Sequence, residues 1–403
     1  MTDNLANRSI PAARTPFPAV LAVTACLTAT AAWILLAIND TGTIELAWSN
    51  RDFANYWIAA RLVFEGRVHD IFAPHAVYFA HMQAAFGSDY PWHAWSYPPH
   101  YLLTVLPFGW LGYKNAMVAY LLVTFLLLCA AIRLIAPAAT IRQLLWLLLA
   151  ILTNAVATQN GFLTSTLLLV GLAGRFDRPV LAGICIGLLT IKPQLGLLLP
   201  LLLLYERRWL VITVATATAL GLVAVSMAAF GFSSWQGFME NVVPYQTGVM
   251  RGATGIFLHM MPSMFGSLRS LGFSSDIALA AHVPVAVAAL ILWLYSLPRL
   301  QGDGARAAST IFATFVITPY SLSYDLVILA AVAALWPLPG GRPARMPLKA
   351  LLLATAAIPI YMPVLGLAGL PGTPLLILLT WILLLINEGA LARFIPRPRS
   401  AAT

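Results

Sequence analysis

Charge is the scarcest property of this chain. Only 9% of its 403 residues are Asp, Glu, Lys or Arg, whereas 60% are apolar. Soluble globular proteins carry about 25% charged residues, so this chain cannot cover a water-facing surface of its size. A soluble enzyme, a disordered protein and a secreted disulfide scaffold are therefore excluded. The apolar runs recur along the whole chain without alternating, which predicts an integral membrane protein made of helices.

Patterns typical of disulfides and metal sites are also absent from the sequence. The three cysteines, Cys26, Cys129 and Cys185, lie inside apolar runs, where small core residues are expected. No CxxC or His/Cys spacing predicts a metal site, and no motif predicts a cofactor. The net charge is +9, but no basic patch interleaved with aromatic residues predicts binding to nucleic acid.

The positions of the basic residues predict the topology. Lys and Arg collect in cytoplasmic loops of membrane proteins, and here short basic groups separate the apolar runs. Arg8 and Arg14 precede the apolar run 17–38, which we interpret as a retained first transmembrane helix. Residues 39–100 carry six acids and are then extracytoplasmic, while both termini are cytoplasmic.

The rest of the chain fits one all-α membrane domain that covers residues 1–403. Residues 101–231 supply transmembrane helices that include short paired ones. Residues 232–275 form a second extracytoplasmic segment, and residues 276–391 form the C-terminal transmembrane helices. The whole is predicted to be a bundle of about twelve spans.

Two intervals between basic groups are too short for two full spans. Residues 143–174 and 179–205 must each cross the membrane and return, and each is interrupted near its middle, at Thr158–Gly161 and at Lys192–Gln194. Irregular backbone at membrane depth is tolerated only where protein buries it or where it lines a wet cavity. These turns near the outer leaflet are therefore candidates for a functional site.

Asp52 is a candidate catalytic base. On a helix that includes residue 52, Asp52, Asn55 and Tyr56 share one face. A carboxylate beside an amide and a phenol suits general-base work on a sugar hydroxyl. A helix cap, with Asp52 accepting hydrogen bonds from backbone amides, explains the segment equally well.

Further polar groups precede or interrupt the apolar runs. Tyr97 and His100 flank two prolines that predict a stiff, extended entry into a helix, and a simple helix-start signal also explains them. Gln159 and Asn160 lie in the polar turn, where turn chemistry accounts for Asn160 but leaves the large amide of Gln159 as a candidate contact.

Lys192 is the sharpest candidate, because Pro193 breaks the helix beside it and no cytoplasmic loop is available to it. A cation at this depth could bind a lipid phosphate, whereas the simpler alternative is a lysine that extends to the interface. The segment Thr318–Asp325 is a third broken stretch. Its Asp325 could pair with Lys192 or an arginine, or cap the next helix, and Tyr324 could contact a sugar or a phosphate.

Together these motifs resemble glycosyltransferase family 87, bacterial mannosyltransferase-like membrane proteins of the GT-C superfamily. The matching elements are Asp52–Ala60, Tyr97–Pro99, Gln159–Asn160, Arg178–Gly183 and Lys192–Pro193. Some relatives have a histidine in the late proline-containing motif, where this chain has Tyr324 and Asp325. The resemblance covers residues 45–210 best, and beyond them it rests on hydropathy and on the segment 318–325.

The resemblance implies a GT-C-like fold, a polyprenyl-phosphate-sugar donor and an extracytoplasmic active site in the bacterial inner (plasma) membrane. It assigns the role of catalytic base to Asp52 and recognition of the donor phosphate to Lys192. The predicted substrate-binding residues are Asn55, Tyr56, Tyr97, His100, Gln159, Asn160, Tyr324 and Asp325.

Two classes of function follow from these predictions. The first is a hexosyltransferase that moves a hexose, mannose foremost, from a polyprenyl-phosphate donor to a lipid or glycan acceptor, with inversion. The second is a transporter or flippase of a lipid-linked sugar. Transporters often show internal repeats and midplane charges, whereas here the charges gather toward one face, which favours the enzyme. The predicted partners are the donor, the acceptor and membrane lipids.

Overall fold

The fold is all-α throughout the part of the chain that the structure describes. The computed structural model describes residues 52–394, which are 77% helix and contain no strand. The all-helical prediction is therefore confirmed over this range. The predicted first transmembrane helix at 17–38 lies outside the described residues, as do residues 39–51 and both chain termini.

The predicted first external segment folds into short helices rather than an open loop. It begins with α1 (Asp52–Phe64), α2 (Val68–Phe72) and α3 (His75–Phe86). Pro98 then has extended backbone, with ψ 157°, and leads into a 3₁₀ turn at Pro99–Tyr101. The predictions that a helix includes Asp52 and that the prolines form an extended entry are confirmed.

The remaining helices follow in chain order. They are α4 (Leu102–Val105), α5 (Tyr113–Ile135), α6 (Ile141–Ala157), α7 (Gly161–Gly174), α8 (Pro179–Leu188), α9 (Leu199–Tyr205), α10 (Trp209–Phe230), α11 (Phe232–Gly237), α12 (Val243–Gly252), α13 (Ile256–His259), α14 (Met264–Ser270), α15 (Ser275–Ser296), α16 (Asp303–Ile317), α17 (Val327–Ala334), α18 (Met346–Leu367) and α19 (Thr373–Asn387). Further 3₁₀ turns lie at Leu106–Trp110, Leu189–Ile191, Pro193–Gly196, Leu297–Arg299, Ser323–Leu326 and Ala392–Phe394, and a π-helical turn lies at Phe238–Val242.

Four helices among residues 52–394 are long and apolar enough to cross a membrane. These are α5, α10, α18, and α15 with the 3₁₀ turn that continues it to Arg299. Shorter apolar helices of 10–17 residues, such as α6, α7 and α19, lie between them. The chain is thus a membrane protein, while the predicted count of about twelve spans is not confirmed.

Broken helix pairs run from one end of the bundle to its interior and back. The pairs are α6 with α7, α8 with α9, and α16 with α17, as predicted for the first two. α7 has 14 residues and spans about 21 Å, which is less than the hydrocarbon thickness of about 30 Å. α7 is therefore too short to cross the hydrocarbon by itself.

A close contact fixes α8 in this arrangement. Gly183 and Gly187 lie one helical turn apart and face α10. A Cβ atom on Gly183 would lie 2.6 Å from the Cβ of Val214, so no larger residue fits there without a shift. Small residues at this spacing let two membrane helices approach closely. The contact holds in place the helix that leads to Lys192.

The end of the bundle opposite the breaks carries a buried ion cluster. Arg175 follows α7 and donates two hydrogen bonds to Glu206, which follows α9, at 2.6 and 3.0 Å. Arg306 of α16 donates to the same carboxylate at 3.1 Å and pairs with Asp303 at 3.2 Å. These residues join the ends of three broken pairs.

Candidate active site

Three helix breaks meet at one place in the bundle. The α6–α7 break touches the α16–α17 break so closely that a Cβ on Gly161 would collide with the carbonyl oxygen of Tyr324. Thr318 donates a hydrogen bond to the carbonyl of Gln194 at 3.4 Å, which ties the third break to them. Thr318 and the residues of the α6–α7 turn are buried. The irregular backbone is therefore enclosed by protein, as membrane depth demands.

Side-chain bonds stabilise the first of these breaks. α6 ends where Thr158 adopts left-handed backbone, with φ 52°. Asn154 then bridges the turn, because its amide donates to the carbonyl of Gln159 at 3.2 Å and accepts from the amide of Gly161 at 3.1 Å. These two backbone groups of the turn, which would otherwise lack a hydrogen-bond partner, are thereby paired.

Lys192 lies in the second break and has an anionic partner. Its Nζ is 2.6 Å from Oδ1 of Asp325 and 4.7 Å from the centroid of the Tyr324 ring. The Lys192 side chain is 8% exposed, so the alternative of a lysine extending to the interface is wrong for this structure. Among the described residues, the partner of Lys192 is Asp325, which is one of the partners that the sequence allowed. Asp325 also accepts from the backbone amide of Leu322 at 3.1 Å, so both predicted roles of this aspartate occur together.

A layer of buried phenols and amides lies beside the ion pair. The Tyr56 hydroxyl donates to Oε1 of Gln159 at 2.6 Å and lies 2.9 Å from the Tyr97 hydroxyl. Tyr97 also donates to Gln159, at 3.3 Å. The next bond in the layer runs from Asn160 to the hydroxyl of Tyr101 at 3.5 Å. Four predicted substrate-binding residues from three separate segments are thus brought together.

Asp52 lies at the start of α1, on the more exposed side of this layer. Its side chain is 34% exposed, and Oδ1 lies 3.6 Å from Nε2 of His93. No backbone amide of residues 52–394 is seen to donate to its carboxylate, so nothing here supports the helix-cap alternative. Burial lowers the pKa of His93, but the neighbouring Asp52 carboxylate outweighs it and raises that pKa above its ordinary value.

Asp52 and Asp325 act on the same tyrosine, Tyr97. Burial is the largest cause that raises the pKa of Tyr97, and the charges of Asp52 and Asp325 both add to it. Asp52 and the Lys192–Asp325 pair therefore belong to one electrostatic environment.

Two more of the predicted contacts, Asn55 and His100, are buried, and each leaves a polar atom unused. Asn55 donates to the carbonyl of Ala94 at 2.9 Å, and Nε2 of His100 lies 3.3 Å from the hydroxyl of Thr190. Within residues 52–394, Oδ1 of Asn55 and Nδ1 of His100 have no hydrogen-bond partner. Most buried polar atoms are paired, so such atoms near helix breaks are suited to meeting a polar ligand.

Residues 232–275 cover the site and contact the first segment. The indole of Trp92 donates to the hydroxyl of Tyr245 at 2.7 Å, and Gln246 donates to the carbonyl of Ser96. Ser263 donates to the carbonyl of Pro319 at 2.6 Å. The two segments that the sequence places on one side of the membrane therefore pack together.

His93 is the site residue that sequence reasoning missed. It lies in the aromatic stretch Tyr90–Tyr97, between the first helices and the prolines, and nothing in its spacing relates it to Asp52. Within the described range, no group of three His, Cys, Asp or Glu residues is arranged to hold a metal ion.

The fold and the site of the described residues define a class of protein. It is an all-helical membrane protein whose charged and phenolic side chains lie where helix breaks converge. A family model for glycosyltransferase family 87 matches residues 95–319, more than half of the sequence. The chain belongs to glycosyltransferase family 87. Comparisons with curated proteins and with solved structures found no match.

The family match covers only part of the site. It includes Tyr97, Gln159 and Lys192 and ends at Pro319. Asp52 and Asp325 lie outside it, and so does the motif at the start of the predicted resemblance. The family indicates a glycosyltransferase, which favours the enzyme over the transporter.

Proposed function

We propose that the protein transfers a hexose, mannose foremost, from a polyprenyl-phosphate donor to a lipid or glycan acceptor, with inversion at the anomeric carbon. The observation that carries this proposal is a buried cation, Lys192, which pairs with Asp325 and lies beside the same buried tyrosines as the carboxylate of Asp52. Transfer from a phosphate leaving group needs a cation for the leaving group and a base for the incoming hydroxyl.

Asp52 acts as the base in this scheme. It removes the proton of an acceptor hydroxyl, whose oxygen attacks the anomeric carbon as the bond to the phosphate oxygen breaks. A single base with in-line attack inverts the anomeric centre. The 34% exposure of the Asp52 side chain supports the role, because an acceptor can reach the carboxylate.

Lys192 receives the donor phosphate. Its ammonium has three N–H donors, of which one points at Asp325 at 2.6 Å. A phosphate can share or replace that contact, and Asp325 holds the lysine side chain in place until the donor arrives. Tyr324 lies against the ammonium and is positioned to contact the same group.

The remaining predicted residues bind the sugar and the acceptor. Tyr56, Tyr97 and Gln159 present hydroxyl and amide groups between the base and the cation. The unpaired Oδ1 of Asn55 and Nδ1 of His100 add hydrogen-bond acceptors at the edges of this layer, and Asn160 offers a further amide oxygen. A preformed set of such groups can fix a hexose for in-line attack.

The active site faces the extracytoplasmic side in this proposal, with both termini in the cytoplasm. The buried arginines lie at the opposite end of the bundle, where the positive-inside rule places the cytoplasm. An impermeant thiol reagent should label a Ser88→Cys variant in intact cells, because Ser88 is exposed in the first segment. The background carries Cys26→Ser, and the other two cysteines are buried.

An Asp177→Cys variant is the matched control for sidedness. Asp177 is exposed at the arginine end of the bundle, so it should be labelled only after the cells are permeabilised. Labelling of residue 177 in intact cells, with residue 88 protected, would invert the topology.

The Asp52→Asn variant tests the base directly. It keeps the shape of the side chain and loses the proton acceptor, so turnover should fall about a hundred- to ten-thousand-fold. The measurement uses purified protein in nanodiscs, a radiolabelled short-chain polyprenyl-phosphate mannose, and membrane lipids and glycans of the host as acceptors. Glucose and galactose donors are run in parallel. The exposed Asp89→Asn serves as control. Near wild-type turnover by Asp52→Asn would leave Asp52 as a helix-terminal residue only.

A further inference from the structure

His93 is held in a defined orientation beside Asp52. Its Nδ1 lies 3.3 Å from the carbonyl oxygen of Pro91, and its Nε2 lies 3.6 Å from Oδ1 of Asp52. The His93 side chain is 19% exposed, so one edge of the ring reaches solvent. The ring thus lies between the carboxylate and solvent-facing surface of its own.

The carbonyl of Pro91 fixes which nitrogen carries the permanent proton. A carbonyl oxygen only accepts, so the contact with Pro91 requires a proton on Nδ1. The nitrogen that faces Asp52 is then free to gain or lose a proton. In the neutral ring Nε2 presents a lone pair to the carboxyl group, and in the charged ring it presents an N–H.

Other groups around Asp52 are poor acceptors for a proton. Tyr90 lies 5.7 Å from the His93 ring, between centroids, and burial raises its pKa, with smaller contributions from Tyr113 and Asp52. Tyr97 is a buried phenol that the charge of Asp52 also reaches. A neutral phenol at physiological pH donates a proton and does not take one. Among residues 52–394, the imidazole of His93 is the group seen beside Asp52 whose type titrates in this range.

We propose that His93 is the proton-accepting partner of Asp52, which receives at Nε2 the proton that the carboxylate takes from the acceptor hydroxyl. This inference rests on the proposed function, in which Asp52 is the base. The acceptor O–H bond breaks and its oxygen bonds to the anomeric carbon, while the bond to the donor phosphate breaks and its electron pair leaves with the phosphate. The proton passes through Asp52 to His93 and then to solvent. His93 acts through Asp52 and is therefore a positioning residue.

The proposal gives the pH dependence a definite sign. His93 must be neutral to accept a proton, so turnover should fall as the pH drops through its pKa. That pKa lies above the ordinary histidine value because of the Asp52 carboxylate. A His93→Gln variant can still contact Asp52 but cannot accept a proton. In this variant the fall in turnover that accompanies protonation of His93 is absent, so the acidic limb should move to lower pH.

The chain contains a matched control pair in the same segment. Nε2 of His81 lies 2.9 Å from Oδ2 of Asp70, and the His81 side chain is 16% exposed. Each of the two histidines therefore has its own aspartate partner, and their side chains are exposed to a similar degree. His81→Gln should leave the pH profile of turnover unchanged.

The first experiment needs no substrate. Histidine-labelled protein in nanodiscs is titrated by NMR, with the His93 signal assigned from His93→Gln. In Asp52→Asn the titration midpoint of His93 should fall, while that of His81 stays in place. An unchanged His93 midpoint would overturn the pairing.

The second experiment records turnover from about pH 5 to about pH 9 with the radiolabelled mannose donor. Turnover of His93→Gln should fall about a hundred-fold at neutral pH, which is the lower end of the range for a lost proton acceptor. The acidic limb of its pH profile should shift to lower pH. A limb that stays at the wild-type position would overturn the relay even if turnover fell. If Asp52→Asn is inactive and the acidic limb of His93→Gln does not shift, the proton relay alone is refuted. If Asp52→Asn is active, the proposed role of Asp52 as the base is refuted.

Discussion

Two buried ion clusters lie at opposite ends of the broken helices, and they differ in how fully they are hydrogen-bonded. At the arginine end, Arg175 gives two bonds to Glu206 and further bonds to the carbonyls of Leu172 and Asp303. At the helix breaks, Lys192 has a single close oxygen partner in Asp325 among the described residues. The planar arginine fork suits a structural contact of several hydrogen bonds, whereas the lysine ammonium keeps donors available.

This difference separates a structural role from a functional one. All three side-chain nitrogens of Arg175 donate to protein oxygens, so this arginine is suited to holding the helix ends together. A cation with donors to spare, beside phenols and unused amide oxygens, is suited to a passing anion. If the contrast is correct, variants at the two ends should fail in different assays.

The largest effect is expected from Glu206→Gln at the arginine end. It removes the carboxylate that Arg175 and Arg306 share and leaves Arg306 with Asp303 alone, and the loss of one member of a buried pair costs about 3–5 kcal/mol. The free energy of unfolding should fall by this amount in detergent. Turnover per folded molecule should be nearly unchanged.

Glu65→Gln is the matched control for Glu206→Gln. Glu65 pairs with Arg61 at 3.6 Å on an exposed surface, and such helix pairs contribute about 0.3–0.5 kcal/mol. A large loss of turnover per folded molecule in Glu206→Gln, at wild-type stability, would make the arginine cluster part of the site.

The next effect is expected from Lys192→Gln. Loss of a group that stabilises charge in the transition state typically costs about a hundred- to a thousand-fold in turnover. Use of the donor should weaken far more than binding of the acceptor, because the lysine meets the leaving phosphate. Kinetics at varied concentrations of a synthetic short-chain donor measure this loss.

A double variant removes the main ambiguity. Lys192→Gln alone strands the buried Asp325, so it can also destabilise the protein. Lys192→Gln combined with Asp325→Asn should recover stability but not donor use, and the cycle separates the two effects. Recovery of turnover together with stability would show that the lysine serves only as a counter-ion.

The smallest effect in this series is expected from Lys192→Arg. The charge is kept while the shape of the donor group changes, so part of the activity should remain. Activity of this variant equal to that of Lys192→Gln would argue that the site needs the compact ammonium, and not merely a positive charge.

The pattern of polar interruptions in apolar runs was enough to predict the individual breaks. Basic groups on either side of residues 143–174 and 179–205 left no length for full spans, so the chain had to turn near Gln159 and Lys192. The helix that includes Asp52 and the proline entry were likewise local features, set by three- and four-residue spacing and by the fixed φ of proline.

The sequence alone determined that this is a helical membrane protein with costly polar residues at helix breaks, because length, hydropathy and charge act locally along the chain. It also narrowed the partner of Lys192 to a few anions without choosing among them. Only the tertiary structure decided that Asp325, 133 residues away, is its partner in the protein. The same holds for His93, which reaches Asp52 only because the segment after α3 folds back onto the start of α1. Contacts between distant segments depend on how helices pack in three dimensions, and no one-dimensional spacing records that.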